Sequence, residues 1–203
     1  MIFNLDELSP TQRYFTLTQS IVPRPVAWVL SENANKSYNL APYSYFSGVA
    51  SDPPLVMISV GKKNDGSLKD TRTNIIERSE YVIHIPHQEM AHAVTESARP
   101  RPEGESEVTA QNLELCEFEG FRLPRLKAAR IALACEKYRV EDITDSQAMI
   151  LGLIKAVYVD DDLITEFEDG RVKIDAQKLQ PIGRLGGDDY TGLGEIITVP
   201  RPR

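Results

Sequence analysis

Six apolar runs set the pattern of the chain: VAWVL (26–30), LVMISV (55–60), YVIHI (81–85), RIALACEKYRVED (130–142), MILGLIKAVYVD (149–160) and EIITV (195–199). They are rich in β-branched residues and are bounded by polar or turn-forming residues, which predicts strands. Asp52-Pro53-Pro54, Asn33 with Asn35, and Asn64-Asp65-Gly66 read as turns. Helical pattern is scarcer: a short helix over Thr73–Glu80, another over His87–Glu96, and a single turn at Asp175–Leu179. Strands outnumber helices and do not alternate with them, which argues against a doubly wound parallel sheet. The pattern predicts a mainly β protein, an antiparallel barrel with short helices covering its ends. ARPRPEGESEVTAQN (98–112) is polar and proline-bearing. Strand signals resume soon after it, so it reads as a surface excursion inside one domain spanning 1–203.

Composition narrows the function. The chain has 203 residues, 41% apolar and 26% charged, the balance of an ordinary globular protein. A formal net charge of −7 argues against broad binding to nucleic acid or to an anionic membrane, and leaves a local basic pocket open. No apolar run approaches a membrane span, and MIFNLDELSP has neither the basic nor the apolar part of a secretory signal. Cys116 and Cys135 form no CxxC pair, so they read as small core residues of a reduced, cytoplasmic chain.

The common catalytic signatures are missing. There is no GxxxxGK[ST], no GxSxG and no HExxH, and the glycines at 183, 186, 187, 192 and 194 do not make GxGxxG. His84, His87 and His92 lie near one another in sequence without a metal-ligand spacing, and titrate in the useful range without an identifiable partner.

Three polar stretches remain. In SIVPRPVAWVLS (20–31), Arg24 stands between two prolines at the start of a strand. Those prolines stiffen the segment, so the arginine reads equally as solvated or as aimed at an anion. YNLAPYSYFSGVASDPPLVMISV (38–60) combines small residues with Tyr43, Tyr45 and Phe46. It reads as a hairpin connection, or as a slot where a flat ligand approaches backbone. GKKNDGSLKDTRTNI (61–75) is a solvated loop or the cradle of a phosphate. Lys69, Thr71, Thr73 and the N–H groups opening the next helix would form that cradle. Asp70 would repel a phosphate and reads as a helix cap, or as the residue that orients Lys69 and Arg72.

Together SIVPRPVAWVLS, NLAPYSYFSGVASDPPLVMISV, KDTRTNI, YVIHIP and PIGRLGGDDYTG, in this order, resemble the flavin reductase-like family, in particular its flavoredoxin-like branch. The resemblance implies an FMN-binding split barrel and a homodimer with FMN at or near the subunit interface. By position, Asn39, Leu40, Ala41, Pro42, Tyr43 and Ser44 would follow the flavin ring and ribityl chain. Lys69, Asp70 and Thr71 would surround the phosphate, and Asn74 would open the following helix. Arg24 would face the flavin or its phosphate, and Tyr190 would lie near the pocket. The implied activity is an NAD(P)H-dependent flavin or flavin-mediated reductase, with a small molecule or a redox protein as second acceptor. An electron carrier or flavin-storage protein with little turnover of NAD(P)H needs the same slot.

Overall fold

The computed structural model describes residues 1–168, 170–200 and 202. Helix α1 (Pro10–Ser20) leads into β1 (Arg24–Pro25), β2 (Ala27–Glu32), β3 (Tyr38–Tyr43), β4 (Phe46–Ser51) and β5 (Pro54–Gly61). Then come α2 (Asp70–Arg78), β6 (Glu80–His84), α3 (Ala91–Glu96) and α4 (Glu107–Ala110). Two short strands, β7 (Leu115–Cys116) and β8 (Arg125–Leu126), precede the long pair β9 (Ile131–Thr144) and β10 (Gln147–Val159). The chain continues through β11 (Ile164–Glu168), β12 (Arg171–Ile174), α5 (Ala176–Leu179), β13 (Gly183–Arg184) and β14 (Tyr190–Thr191).

The main sheet has seven strands in the order β3-β2-β6-β9-β10-β5-β4, and every neighbouring pair is antiparallel. β2 is buried along its whole length. Its alternate side chains enter two cores, since successive residues of a strand face opposite sides of the sheet. Ala27 and Val29 pack with Tyr43, Val56, Ile58 and Ile150. Trp28 and Leu30 pack with Leu40, Val82 and Leu123 on the side covered by Val94 of α3 and Val108 of α4, while Ile75 of α2 packs on the Ala27 and Val29 side. Both faces being covered is why VAWVL reads as a continuous apolar run rather than an alternating one. Pro42 is tolerated in β3 because that strand lies at the sheet edge, where its missing N–H breaks no ladder.

Five of the six apolar runs are strands. EIITV is not: Glu195–Val199 pairs with nothing among the described residues, and Ile197 is 84% exposed. Its β-branched residues have the propensity for a strand but meet no free sheet edge of this chain. Helix α2 starts at Asp70, three residues before the sequence reading places it, and the second helical segment splits into a 3-10 turn at Gln88–Met90 and α3. Helix α1 is an addition. Its capping box, Ser9 with Gln12, and Pro10 at the first helical position are written in the sequence.

His84 is wholly buried and serves the fold. Its Nδ1–H donates to the Trp28 carbonyl (3.0 Å) and Nε2 accepts the Leu126 N–H (3.0 Å). Burial pushes its pKa down to about 4, so the ring is neutral. Among the described residues no helix is long and apolar enough to cross a membrane, and no cluster of His, Cys, Asp and Glu could hold a metal ion.

Candidate functional site

A cavity of about 550 Å³ opens between the edge strand β3, the start of α2 and the segment before α4. Asn39, Ala41, Pro42 and Tyr43 form its β3 wall. Lys69, Asp70 and Thr71 form the wall at the helix start, joined by the turn Lys62–Asp65. The far side is Ser97–Arg101 and Glu107.

Asn39 locks two of these walls together. Its buried Nδ2 donates to the Thr71 hydroxyl (2.8 Å) and to the Ser31 hydroxyl (3.3 Å). Glu107 fixes the third wall: its buried carboxylate accepts the Leu40 N–H at 2.8 Å. Burial raises the Glu107 pKa, and the bond from Leu40 N–H opposes that rise. Burial pushes the Tyr43 phenol well up, so it stays protonated.

At the start of α2, Lys69 occupies the N-cap position and makes no side-chain cap bond. Its carbonyl accepts the N–H groups of Arg72 (2.9 Å) and Thr73 (3.1 Å). The N–H groups of Asp70 and Thr71 have no preceding helical turn to bond. Among the described residues no carboxylate pairs with the Lys69 ammonium, which lies 5.8 Å from the centre of the Tyr43 ring. Surrounding protein lowers its pKa. Asp70 neither caps the helix nor orients Lys69 or Arg72. It takes an ion pair from Lys63 at 2.6 Å, while Arg72 reaches Asp142 at 2.5 Å. The cavity wall therefore carries Lys62, Lys63, Lys69, Arg99 and Arg101 against Asp65, Asp70 and Glu107, a cationic surplus on an acidic protein.

Six residues singled out in the sequence lie off this cavity: Arg24, Leu40, Ser44, Thr73, Asn74 and Tyr190, with Thr73 lining a separate cavity instead of the phosphate cradle. Leu40 points into the core and contributes only its N–H. Arg24 is buried and donates to the carbonyls of Thr18 (2.6 Å), Ile21 (2.7 Å) and Leu185 (2.9 Å), and to the Ser44 hydroxyl (3.3 Å). Asn74 donates to Ser31 and Asn33 and accepts from Arg78, tying α2 to β2. Tyr190 lies under the Arg184 guanidinium (4.5 Å), with its hydroxyl accepting from Thr95. Arg99, Arg101 and Glu107 were not singled out, because 98–112 reads as a surface excursion. Ser106 capping the Thr109 N–H is the signal that α4 begins there.

Residues 19–174 match the Flavin reductase like domain, and the chain belongs to this family. It is 35% identical over 207 residues to an uncharacterized protein of Halalkalibacterium halodurans, covering all of this chain and 97% of the relative. Nitrilotriacetate monooxygenase component B from Bacillus cereus has a similar structure, with TM-score 0.88, 37% identity and 98% of each chain covered. The Pseudomonas fluorescens 2-nitrobenzoate 2-nitroreductase NbaA aligns at TM-score 0.88 and 30% identity, over all of this chain and 96% of the other. A Shewanella frigidimarina chain described as having a split barrel domain matches over both full lengths at TM-score 0.85 and 20% identity, and shares the fold. The flavoredoxin of Desulfovibrio vulgaris does so at TM-score 0.72 and 19% identity, over 88% of this chain and 91% of the other. The architecture is the split barrel of the flavin reductases.

Proposed function

We propose that the chain binds FMN in the cavity between β3 and the start of α2, and uses NADH or NADPH to reduce a second acceptor through it. The observation that carries the reading is the unpartnered cation and free N–H groups at one end of a slot walled by edge-strand backbone. An anionic tail fits that end and a flat, uncharged ring fits the other.

A flavin held here would supply the redox chemistry that links a reduced nicotinamide to the second acceptor. Lys69, the Thr71 hydroxyl and the N–H groups of Asp70 and Thr71 would hold the phosphate. The Lys63–Asp70 ion pair screens the Asp70 carboxylate that would otherwise repel it. Asn39 keeps the Thr71 hydroxyl in place, and Glu107 keeps β3 at its distance from α4. Tyr43 gives the slot an apolar, protonated wall.

The names of the monooxygenase component and the nitroreductase support an acceptor that is a small molecule or a protein partner. A homodimer completes the reading. Tyr14 and Phe15 on α1, Val49 on β4 and Ile196–Ile197 in the tail leave apolar surface exposed that a second copy would cover. A cytoplasmic setting agrees with the free cysteines Cys116 and Cys135. The test is titration of the purified protein with FMN, followed by NADH and NADPH oxidation assays with and without FMN. Saturable binding and FMN-dependent oxidation are expected. A chain that takes up no flavin refutes the reading.

A further inference from the structure

The far wall of the cavity is a strap held at both ends. At one end the Trp28 Nε1–H donates to the Ser97 hydroxyl (2.8 Å), which in turn donates to the Val94 carbonyl (2.7 Å). At the other end the Gly104 carbonyl accepts from Asn35 Nδ2 (3.0 Å) and from the Ser37 hydroxyl (2.9 Å), and the Ser106 hydroxyl donates to the Tyr38 carbonyl (2.6 Å). Arg101 stands between these anchors, flanked by Pro100 and Pro102, whose fixed φ angles stiffen the strap. It lines the cavity, and its side chain is only 19% exposed. Among the described residues its guanidinium makes no hydrogen bond. Nε is buried without a partner, and Glu96 Oε1 stands 3.8 Å from Nη2, beyond hydrogen-bond distance.

Arg24 also stands between two prolines, and it gives its donors to the carbonyls of Thr18, Ile21 and Leu185. Arg99 is paired with Glu96, and Lys63 with Asp70. Arg101 alone of these four keeps a buried guanidinium N–H unmatched against the cavity, an arrangement that an oxyanion completes. The flavin phosphate does not need it, because Lys69, the Thr71 hydroxyl and the N–H groups of α2 already match its oxygens, and FMN has no other anionic group. The other reactant of the proposed activity has one, since NADH and NADPH both carry a pyrophosphate. We infer that Arg101 binds a phosphate oxygen of the reduced nicotinamide nucleotide and fixes that nucleotide at the slot. The inference rests on the reading that the cavity holds FMN and that its electrons come from such a nucleotide.

Arg101→Gln and Arg101→Lys are compared with the unmodified chain, each loaded with FMN. Reduced nicotinamide riboside has the nicotinamide and first ribose of NADH but no phosphate, so it measures everything except the proposed contact. The KM for NADH is expected to rise about tenfold in Arg101→Gln and by less in Arg101→Lys. The KM for the riboside and the affinity for FMN should stay within about twofold. Calorimetric titration with NAD+ should show the same loss of affinity without turnover. The NADH KM of the unmodified chain should rise with ionic strength, and that of Arg101→Gln should rise less. Equal effects on NADH and the riboside overturn the proposal, and so does no effect on either. A loss of FMN affinity with riboflavin affinity retained also overturns it, by placing Arg101 on the flavin phosphate. Failure of the unmodified chain to bind FMN or to oxidise NADH removes the underlying reading itself, a distinct result.

Discussion

Lys69→Ala tests the phosphate end of the site. The lysine side chain has no carboxylate partner among the described residues, and its ammonium lies over the Tyr43 ring face at 5.8 Å. Its removal therefore costs the fold no more than about 0.5–1 kcal/mol, the scale of an exposed cation–π contact. A charge-assisted hydrogen bond to phosphate is worth roughly 1.5–3 kcal/mol, about one to two decades in affinity. Riboflavin has the same ring and ribityl chain without the phosphate, so it measures everything except that bond. Fluorescence titration of both flavins at fixed ionic strength is expected to show FMN weakened by about ten- to a hundredfold and riboflavin by less than about twofold. Lys69→Arg, which keeps the charge, should recover part of the loss. The sign with pH follows from the lowered Lys69 pKa. The ammonium attracts phosphate below that pKa, so FMN affinity falls as pH rises through it, at a pH below the ordinary lysine range, and Lys69→Ala is flat there. Equal losses for FMN and riboflavin, or none for FMN, would refute the assignment.

The remaining predictions concern the frame around the site. His84 titrates near 4 in the fold against an ordinary value of 6.5, so the unfolded chain takes up the proton first as pH falls. Stability from this group is full above the ordinary value and is lost between there and about 4; the loss totals about 3 kcal/mol. Urea melts across that range check it, and a flat profile contradicts the buried neutral ring. Gly152→Ala brings a methyl to 1.7 Å from the Tyr81 hydroxyl oxygen. It should cost at least about 1–3 kcal/mol in denaturant unfolding, part of it recovered by adding Tyr81→Phe. Arg24→Ala orphans the carbonyls of Thr18, Ile21 and Leu185. A bracing role predicts a fall in Tm with flavin affinity retained; lost affinity at unchanged Tm would make Arg24 a flavin contact. Light scattering at low concentration should give twice the chain mass, and a monomer would rule out the homodimer.

The strands were legible because a buried antiparallel sheet writes its β-branched runs into the sequence. EIITV carries the same signal without a partner strand, and propensity alone does not supply one. The edge strands β3 and β4 were hidden by the opposite effect. NLAPYSYFSGVAS lacks β-branched runs, because one edge holds a proline and the other is mostly exposed. At the site, the first turn of α2 and the β3 wall were readable as local chemistry. The far wall was not. Glu107 reaches the cavity by bonding the N–H of Leu40, a contact 67 residues away, and nothing local in 98–112 announces it. The pairing of Asp70 with Lys63 rather than Lys69 is a matter of where the turn before α2 places its lysines, which spacing does not determine.

The central claim, that the chain holds a flavin and drives electrons through it, is tested most directly by anaerobic stopped-flow mixing of the FMN-loaded protein with NADH and, separately, NADPH. Loss of the visible flavin absorption with at least one of them, followed by its return when an oxidised acceptor such as free FMN is added, is the predicted result. A protein that binds FMN yet shows no bleaching with either nucleotide would contradict the reductase reading and identify the chain as a flavin carrier.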